Sequence, residues 1–383
     1  MMDSEPGPST SLLFKMPQPK RKASLECPGS LKVDIPDWVS NWKRHNLEYL
    51  NIYYAKDFSQ DPLEVLKRMK TVTDLDEEQL SYIHSVRDYL KFDASVLKLK
   101  FQRSVVQSTI SRLYSKLTKE PNMITTMKEA FVTQKVKRFI TAFDRLLSEV
   151  YDHHRQLKSY EGVYSRFVCG FADLCCLEPI ICSKAEQTVW KNLRGKTIKS
   201  EPDFRFFKLG LQQQRTDTCV SIVEVKNNAK SCPQKRKRMR SSTSGTSESS
   251  SDTAYSSTHS DGNRRKRPRL RAAEKMEPPL IQDITTKRVL GQHGGELLLD
   301  LNRYYGDLKI DILTIPGMIV DETTVIFTLL EMSRKHLEKL KNNQELDDHD
   351  EATIYYSPPY DILCEESRGI LIENFMRLNN INI

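Results

Sequence analysis

The sequence predicts a mixed α and β fold, in which a helical N-terminal region is followed by a region in the order helix, three strands, helix, strands. Three observations lead there. Apolar residues recur at three-and-four spacing over residues 36–158. From Tyr160 onward, helical segments alternate with short runs rich in β-branched and aromatic residues. Between the last of the first set of runs and the next helix lies a long basic, Ser-rich stretch with almost no aliphatic side chains, which cannot bury enough surface to offset the entropy of ordering. A chain of 383 residues exceeds one average domain. The expected organisation is a disordered tail over 1–35, a helical domain over 36–158, a core split between 159–228 and 276–383, and a disordered insertion over 229–275.

Within 36–158 the helical segments are "DPLEVLKRMKTV", "DEEQLSYIHSVRDYLKF", "ASVLKLKFQRSVVQSTISRLYSKL" and "VTQKVKRFITAFDRLLSEVYDHH". Asp61-Pro62 and Asp76-Glu77-Glu78 supply helix starts, because proline is tolerated at the first helical position and carboxylates favour the first turn. Lys98, Lys100 and Arg103 are candidate nucleic-acid contacts, although charge on a helix is more often its solvated face. Trp38, Trp42 and Tyr53-Tyr54 read as core or partner-surface aromatics, and nothing in the sequence supports base stacking by them. The core opens with a helix, "YEGVYSRFVCGFADLCCLE", followed by strand-like "TVWKNL", "DFRFFKLGL" and "CVSIVEV". Beyond the insertion, "LIQDITTKRVLGQHGGELLLDLNRYYG" reads as one amphipathic helix, "GMIVDETTVIFTLLEM" as a hairpin and "SRKHLEKLKNN" as a charged helix. His293, before Gly294-Gly295, is read either as a substrate contact or as part of a helix kink.

Composition excludes some functions. No run of about 18 apolar residues occurs, so no membrane partner is expected. The N-terminal stretch lacks the apolar centre of a secretory signal, so export is not expected and the eight cysteines are expected to stay reduced. Cys169, Cys175, Cys176 and Cys182 with His153 and His154 invite a zinc reading, but no Cys-x-x-Cys pair exists, and three of the four thiols are expected on an apolar helix as core residues. The net charge of +8 is concentrated: residues 229–272 hold twelve Lys/Arg against three Asp/Glu, which leaves the rest of the chain close to neutral. The clusters "KRKRMR", "RRKRPRLR" and "PQPKRK" suit a nuclear import receptor and can neutralise phosphates, so a nuclear location is expected.

The chemistry concentrates on Asp203, Glu224 and Lys226. Side chains alternate along a strand, so Glu224 and Lys226 share one face while Val223 and Val225 face the other layer. A strand beginning at Asp203 can pair beside them and bring two carboxylates together at one strand end. Such a pair repels unless a cation lies between them, and hard oxygen donors suit Mg²⁺ or Mn²⁺, which polarises a phosphate and lowers the pKa of bound water. Lys226 would orient or deprotonate that water, or neutralise charge developing on the phosphate. The plainer alternative is an edge strand whose Glu and Lys face solvent.

Pro202-Asp203, followed after a hairpin by Glu224-Val225-Lys226, resembles the signature of the PD-(D/E)XK nuclease superfamily. The resemblance covers roughly residues 160–335 and implies a restriction-endonuclease-like core. It also implies that Asp203, Glu224 and the Val225 carbonyl bind Mg²⁺ (or Mn²⁺) and that Lys226 is the catalytic lysine. Glu161, with Glu186 second, matches the acidic residue many members carry on the first helix. Gln292 matches a helical Gln-x-x-x-Tyr pattern, whose tyrosine position is here Glu296. The function expected is a nuclease hydrolysing phosphodiester bonds in DNA. The alternative is a catalytically inactive nuclease-fold module that binds nucleic acid or protein partners in the nucleus.

Overall fold

The computed structural model of the protein describes residues 35–95, 103–118, 127–153, 161–182, 188–214, 216, 218–226, 278–305 and 310–382. The tail through residue 34, the basic insertion, Lys98, Lys100, His154 and Glu186 lie outside the described residues. A 3-10 turn at Val39–Asn41 precedes α1 (Arg44–Glu48), β1 (Ile52–Tyr54), α2 (Pro62–Lys67), α3 (Glu77–Tyr89), α4 (Arg103–Thr118) and α5 (Met127–His153). Next come α6 (Glu161–Leu174), β2 (Leu177–Ile181), β3 (Val189–Leu193), β4 (Lys196–Ser200), β5 (Phe204–Lys208) and β6 (Cys219–Lys226). The last set is α7 (Ile281–Ile284), α8 (Lys287–Tyr305), β7 (Ile312–Asp321), β8 (Thr324–Ser333), α9 (Arg334–Lys341), β9 (Ala352–Tyr356), β10 (Tyr360–Asp361) and α10 (Glu365–Leu378).

The fold is mixed α and β. One large sheet runs β1-β9-β8-β7-β6-β5-β2, with β10 also paired to β8, and β3-β4 form a separate two-stranded ribbon. Strands β2, β5 and β6 pair antiparallel, whereas β6 and β7 run parallel and are joined through α8. Residues 35–383 form one compact unit, in which the 36–158 region supplies, besides its helices, the edge strand β1 paired to β9.

Local chemistry explains several boundaries. Asp61 caps α2 by accepting from the Glu64 N–H at 2.8 Å, with Pro62 at the first helical position. Asp76 and Gln79 form a reciprocal capping box at the start of α3. The hairpin β7-β8 closes through Glu322-Thr323, where Glu322 takes φ 57.

Three expectations are corrected. The segment "TVWKNL" does not enter the main sheet but pairs with β4; the third strand beside β5 is β2, which Pro179 keeps from continuing α6. Helix α6 ends at Leu174, and Cys176 takes φ 57, so Cys175 and Cys176 follow the helix rather than lie on it. Burial raises the Cys169 thiol to about 12 and the Cys176 thiol to about 11, as suits core thiols. The helix expected from Leu280 is interrupted at Thr285, which is extended; Thr286 Oγ1 then accepts from the Val289 N–H at 3.3 Å and starts α8.

Helix α10, which the sequence pattern does not single out, is a hub. Its Phe375 ring meets Phe171 of α6 at 5.0 Å, Phe206 of β5 at 6.0 Å and Phe327 of β8 at 5.6 Å. Its Arg368 is buried and donates to the carbonyls of Leu90, Phe92, Ile362 and Leu363, tying the end of α3 to the C-terminal part.

Helix α8 passes under the N-terminal segment without a kink at Gly294-Gly295. His293 lies inside the fold, its Nε2 2.7 Å from Thr328 Oγ1, and burial lowers its pKa to about 3, which keeps the ring neutral. The glycines permit close approach instead. A Cβ on Gly291 would stand 2.3 Å from the Lys43 carbonyl carbon, and one on Gly295 2.8 Å from the Trp42 ring. Gly→Ala in an open helix stabilises by about 1 kcal/mol. Here the neighbour is backbone, so Gly291→Ala should destabilise by about 1–3 kcal/mol in urea unfolding. A gain in stability would show that α1 is not seated on α8.

Candidate active site

Four chain segments converge at the C-terminal end of β6. Asp203 stands at the entry to β5, where Pro202 sets an extended approach. Its Oδ2 accepts from the Val225 N–H at 2.7 Å, and its backbone carbonyl accepts from the Cys182 N–H at 3.1 Å. Strand β6 is central, flanked by β5 and β7, and Glu224 has no exposed surface. The solvent-facing edge-strand reading is therefore excluded. Lys226, the last residue of β6, is 24% exposed; its Nζ touches Glu224 Oε1 and donates to Glu161 Oε1, at the first residue of α6, at 3.1 Å.

Helix α8 supplies the fourth side. Gln292 and Glu296 are four residues apart and so share a helix face. Gln292 Nε2 donates to Glu296 Oε1 at 3.0 Å, and both side chains are buried, Glu296 against Glu224. Two of these elements are also locked together one helical turn further along α8. Arg205, two residues after Asp203, makes a bidentate buried pair with Asp300, four residues after Glu296, at 3.0 and 2.9 Å. The pair fixes β5 against α8.

The electrostatics follow from burial. Burial first, then the charge of Asp203, pushes the Glu224 carboxyl up to about 8, against the pull of Lys226. Burial, then Glu224, raises Glu296 well above the usual carboxylate range. Asp203 is raised by burial, with Lys226 and the Val225 N–H opposing. Burial works against the Lys226 ammonium, but Glu224, Asp203 and Glu161 outweigh it and hold its pKa above the ordinary lysine value. Glu224 Oε1 meets the Lys226 ammonium, and the Glu224 and Glu296 carboxyls lie against one another in the buried cluster.

These buried oxygens bear on the cation that the sequence signature implies. Glu224 and Asp203 offer hard oxygen donors. The Val225 carbonyl faces the Asp203 side as its N–H does, whereas the Lys226 carbonyl is taken up by Glu322 on the β7 side at 3.0 Å. The donor set fits Mg²⁺ or Mn²⁺ in chemistry. In the arrangement seen, the Lys226 ammonium is the cation in contact with Glu224, and among the described residues no group of three or more His, Cys, Asp or Glu is disposed around a common point to hold a metal ion.

The structure thus brings together Asp203, Glu224, Lys226, Glu161 and Gln292. It adds Glu296, which the sequence marked only as a departure from the tyrosine of the family pattern. The four-residue spacing from Gln292 was the signal that both belong to one face. No protein-family model matches the chain, and no curated protein matches it either.

In chelator, the shifted Glu224 makes stability fall with pH. Its carboxyl carries a proton up to about 8 in the folded chain but only to its ordinary 4.5 when unfolded. The stability it contributes is complete below the lower value and is lost as pH rises through the higher one, by up to about 1.4 kcal/mol per pH unit. Urea unfolding of Glu224→Gln should show a flatter profile than wild type across that window. Parallel profiles would mean that Glu224 is not the buried acid described.

Proposed function

We propose that the chain is a metal-dependent nuclease of PD-(D/E)XK type that hydrolyses phosphodiester bonds in DNA. The observation that carries this reading is the meeting of Asp203, a fully buried Glu224 and Lys226 at one strand end, with Glu161 beside the lysine. The order α6-β2-β5-β6-α8-β7, with β6 and β7 parallel across α8, supports it as the order of a restriction-endonuclease-like core.

On this reading Asp203, Glu224 and the Val225 carbonyl hold Mg²⁺ or Mn²⁺, which when bound polarises a phosphate oxygen and acidifies a water. Lys226 reaches solvent from the acid cluster. Its raised pKa keeps it cationic, so it serves by donating hydrogen bonds to the attacking water and by opposing charge that develops on the phosphate. Glu161 aims that ammonium, and Gln292 with Glu296 backs Glu224 from α8. A second reading, a nuclease-fold module without catalysis, is favoured by the contact of Lys226 with Glu224 and by the absence of a preset metal cluster among the described residues.

Cleavage of single- and double-stranded, linear and circular DNA and RNA with Mg²⁺ or Mn²⁺ separates the two. The nuclease reading expects cleavage that chelator abolishes, and a drop of about a hundredfold or more in turnover for Lys226→Ala with substrate affinity nearly kept. Wild-type rates in Lys226→Ala, or no metal-dependent cleavage of any substrate, would leave the binding module.

A further inference from the structure

The β3-β4 ribbon stands outside the main sheet and ends close to the site: Lys199 on β4 is four residues before Asp203, at most about 14 Å of extended chain. Its two strands pair Trp190 with Lys199 and Asn192 with Thr197 on the outward face, while Leu193 and Ile198 are buried. A third segment joins this face at Trp38, which bridges to Lys199, and the Lys199 N–H donates to the Asp37 carbonyl at 2.8 Å. Trp38, Lys199 and Trp190 therefore stand side by side across three adjacent chain segments. Both indoles are exposed, Trp38 by 39% and Trp190 by 58%, while Trp42, the third tryptophan, is fully buried. The Lys199 ammonium lies over both rings, 5.1 Å from the Trp38 centroid and 4.1 Å from that of Trp190.

Exposed tryptophan is uncommon, because burying the ring contributes strongly to stability. Two of them flanking one ammonium need a reason. The charge of the outer face narrows the partner: residues 189–200 hold no carboxylate, and Lys199 presents its ammonium there between the two rings, whereas Lys191 turns to the inner face and Arg194 and Lys196 donate to the Gln344 and Ile35 carbonyls. A partner that presents flat π-faces and is also anionic is a nucleic-acid strand whose bases are unstacked.

We infer that the outer face of the β3-β4 ribbon is a stacking platform for single-stranded nucleic acid, with Trp190 and Trp38 receiving bases and Lys199 meeting a phosphate between them. The Lys199 ammonium stands 5.1 Å from one ring centroid and 4.1 Å from the other, which sets the rings close enough to receive neighbouring bases of one splayed strand. The platform rests on the nuclease reading for its purpose, which is to lead a strand toward Asp203 and Glu224. A splayed strand also explains what a duplex would not use: in a duplex the base faces are covered by their neighbours.

The tryptophans report on the platform directly. The full chain in chelator is titrated with oligothymidylate, oligouridylate and a blunt DNA duplex while tryptophan fluorescence is followed. Expected is saturable quenching by the single strands, lost in the Trp38→Phe/Trp190→Phe double variant, in which only Trp42 still emits. Affinity should fall about tenfold in Trp190→Ala and less in Trp190→Phe, which keeps a ring to stack on, when read by anisotropy of a labelled strand. Lys199→Ala should lower the salt dependence of binding by about one unit of slope. Unchanged affinity in both alanine variants, quenching by duplex alone, or no quenching by any nucleic acid overturns the platform. A protein that cleaves with Mg²⁺ yet shows no Trp-dependent quenching overturns the platform alone. One that binds through the tryptophans without metal-dependent cleavage upholds the platform and overturns only the nuclease reading.

Discussion

The arrangement depends on one costly feature, a carboxylate with no exposed surface on a central strand, set against two further acids and a single ammonium. Removing a charge from water costs several kcal/mol unless it is paired or neutralised. Glu224 meets that cost in part by contact with Lys226 and in part by holding a proton to about pH 8. Burial, then the charge of Glu224, raises Glu296, packed against it, well above the usual carboxylate range as well. A chain selected for stability alone would place apolar side chains here, as β6 does at Val220, Ile222, Val223 and Val225. Stored instability of this kind is common where a site must accept a charged ligand.

The rest of the fold keeps that cluster in place. Glu161 begins α6, Asp203 enters β5, Lys226 ends β6, and Gln292 and Glu296 lie on α8, so no two of these elements are joined by a short turn. The bidentate Arg205–Asp300 pair fixes β5 against α8 one helical turn beyond Glu296. Phe375 of α10 joins α6, β5 and β8 in one aromatic cluster, and Arg368 of the same helix binds the loop after α3. Helix α10 contributes none of the residues of the proposed chemistry, yet it holds two of the elements that carry them, α6 and β5.

Much of this was legible in the sequence where local chemistry decides. The helix starts at Asp61 and Asp76, the hairpin of β7 and β8 and the alternation of Glu224 with Val225 each depend on residues a few positions apart. What escaped depends on distant partners. The brief run at Leu177–Ile181 becomes a strand because β5 lies beside it, and "TVWKNL" leaves the main sheet because β4 captures it. Gly294-Gly295 reads as a kink until Leu47 and Trp42 are seen pressed against it, as Lys43 is against Gly291. Glu296 looked like a lost tyrosine position, and only its packing against Glu224 makes it an acid of the site. The exposure of Trp38 and Trp190 could not be read at all, since periodicity says which face a ring takes but not whether anything covers it.

The central claim is that the protons and ammonium now balancing Asp203 and Glu224 give way to a divalent cation. The direct test is to add Mg²⁺ to the metal-free protein near pH 7, following thermal unfolding and, by calorimetry in buffers of different ionisation heat, proton release. Binding to the folded state alone raises the midpoint with concentration, and displacement of the Glu224 proton releases up to about one proton per ion. The account predicts both effects in wild type, and neither in Glu224→Gln or Asp203→Asn. A wild-type midpoint indifferent to Mg²⁺, or an equal rise in all three proteins, would contradict it.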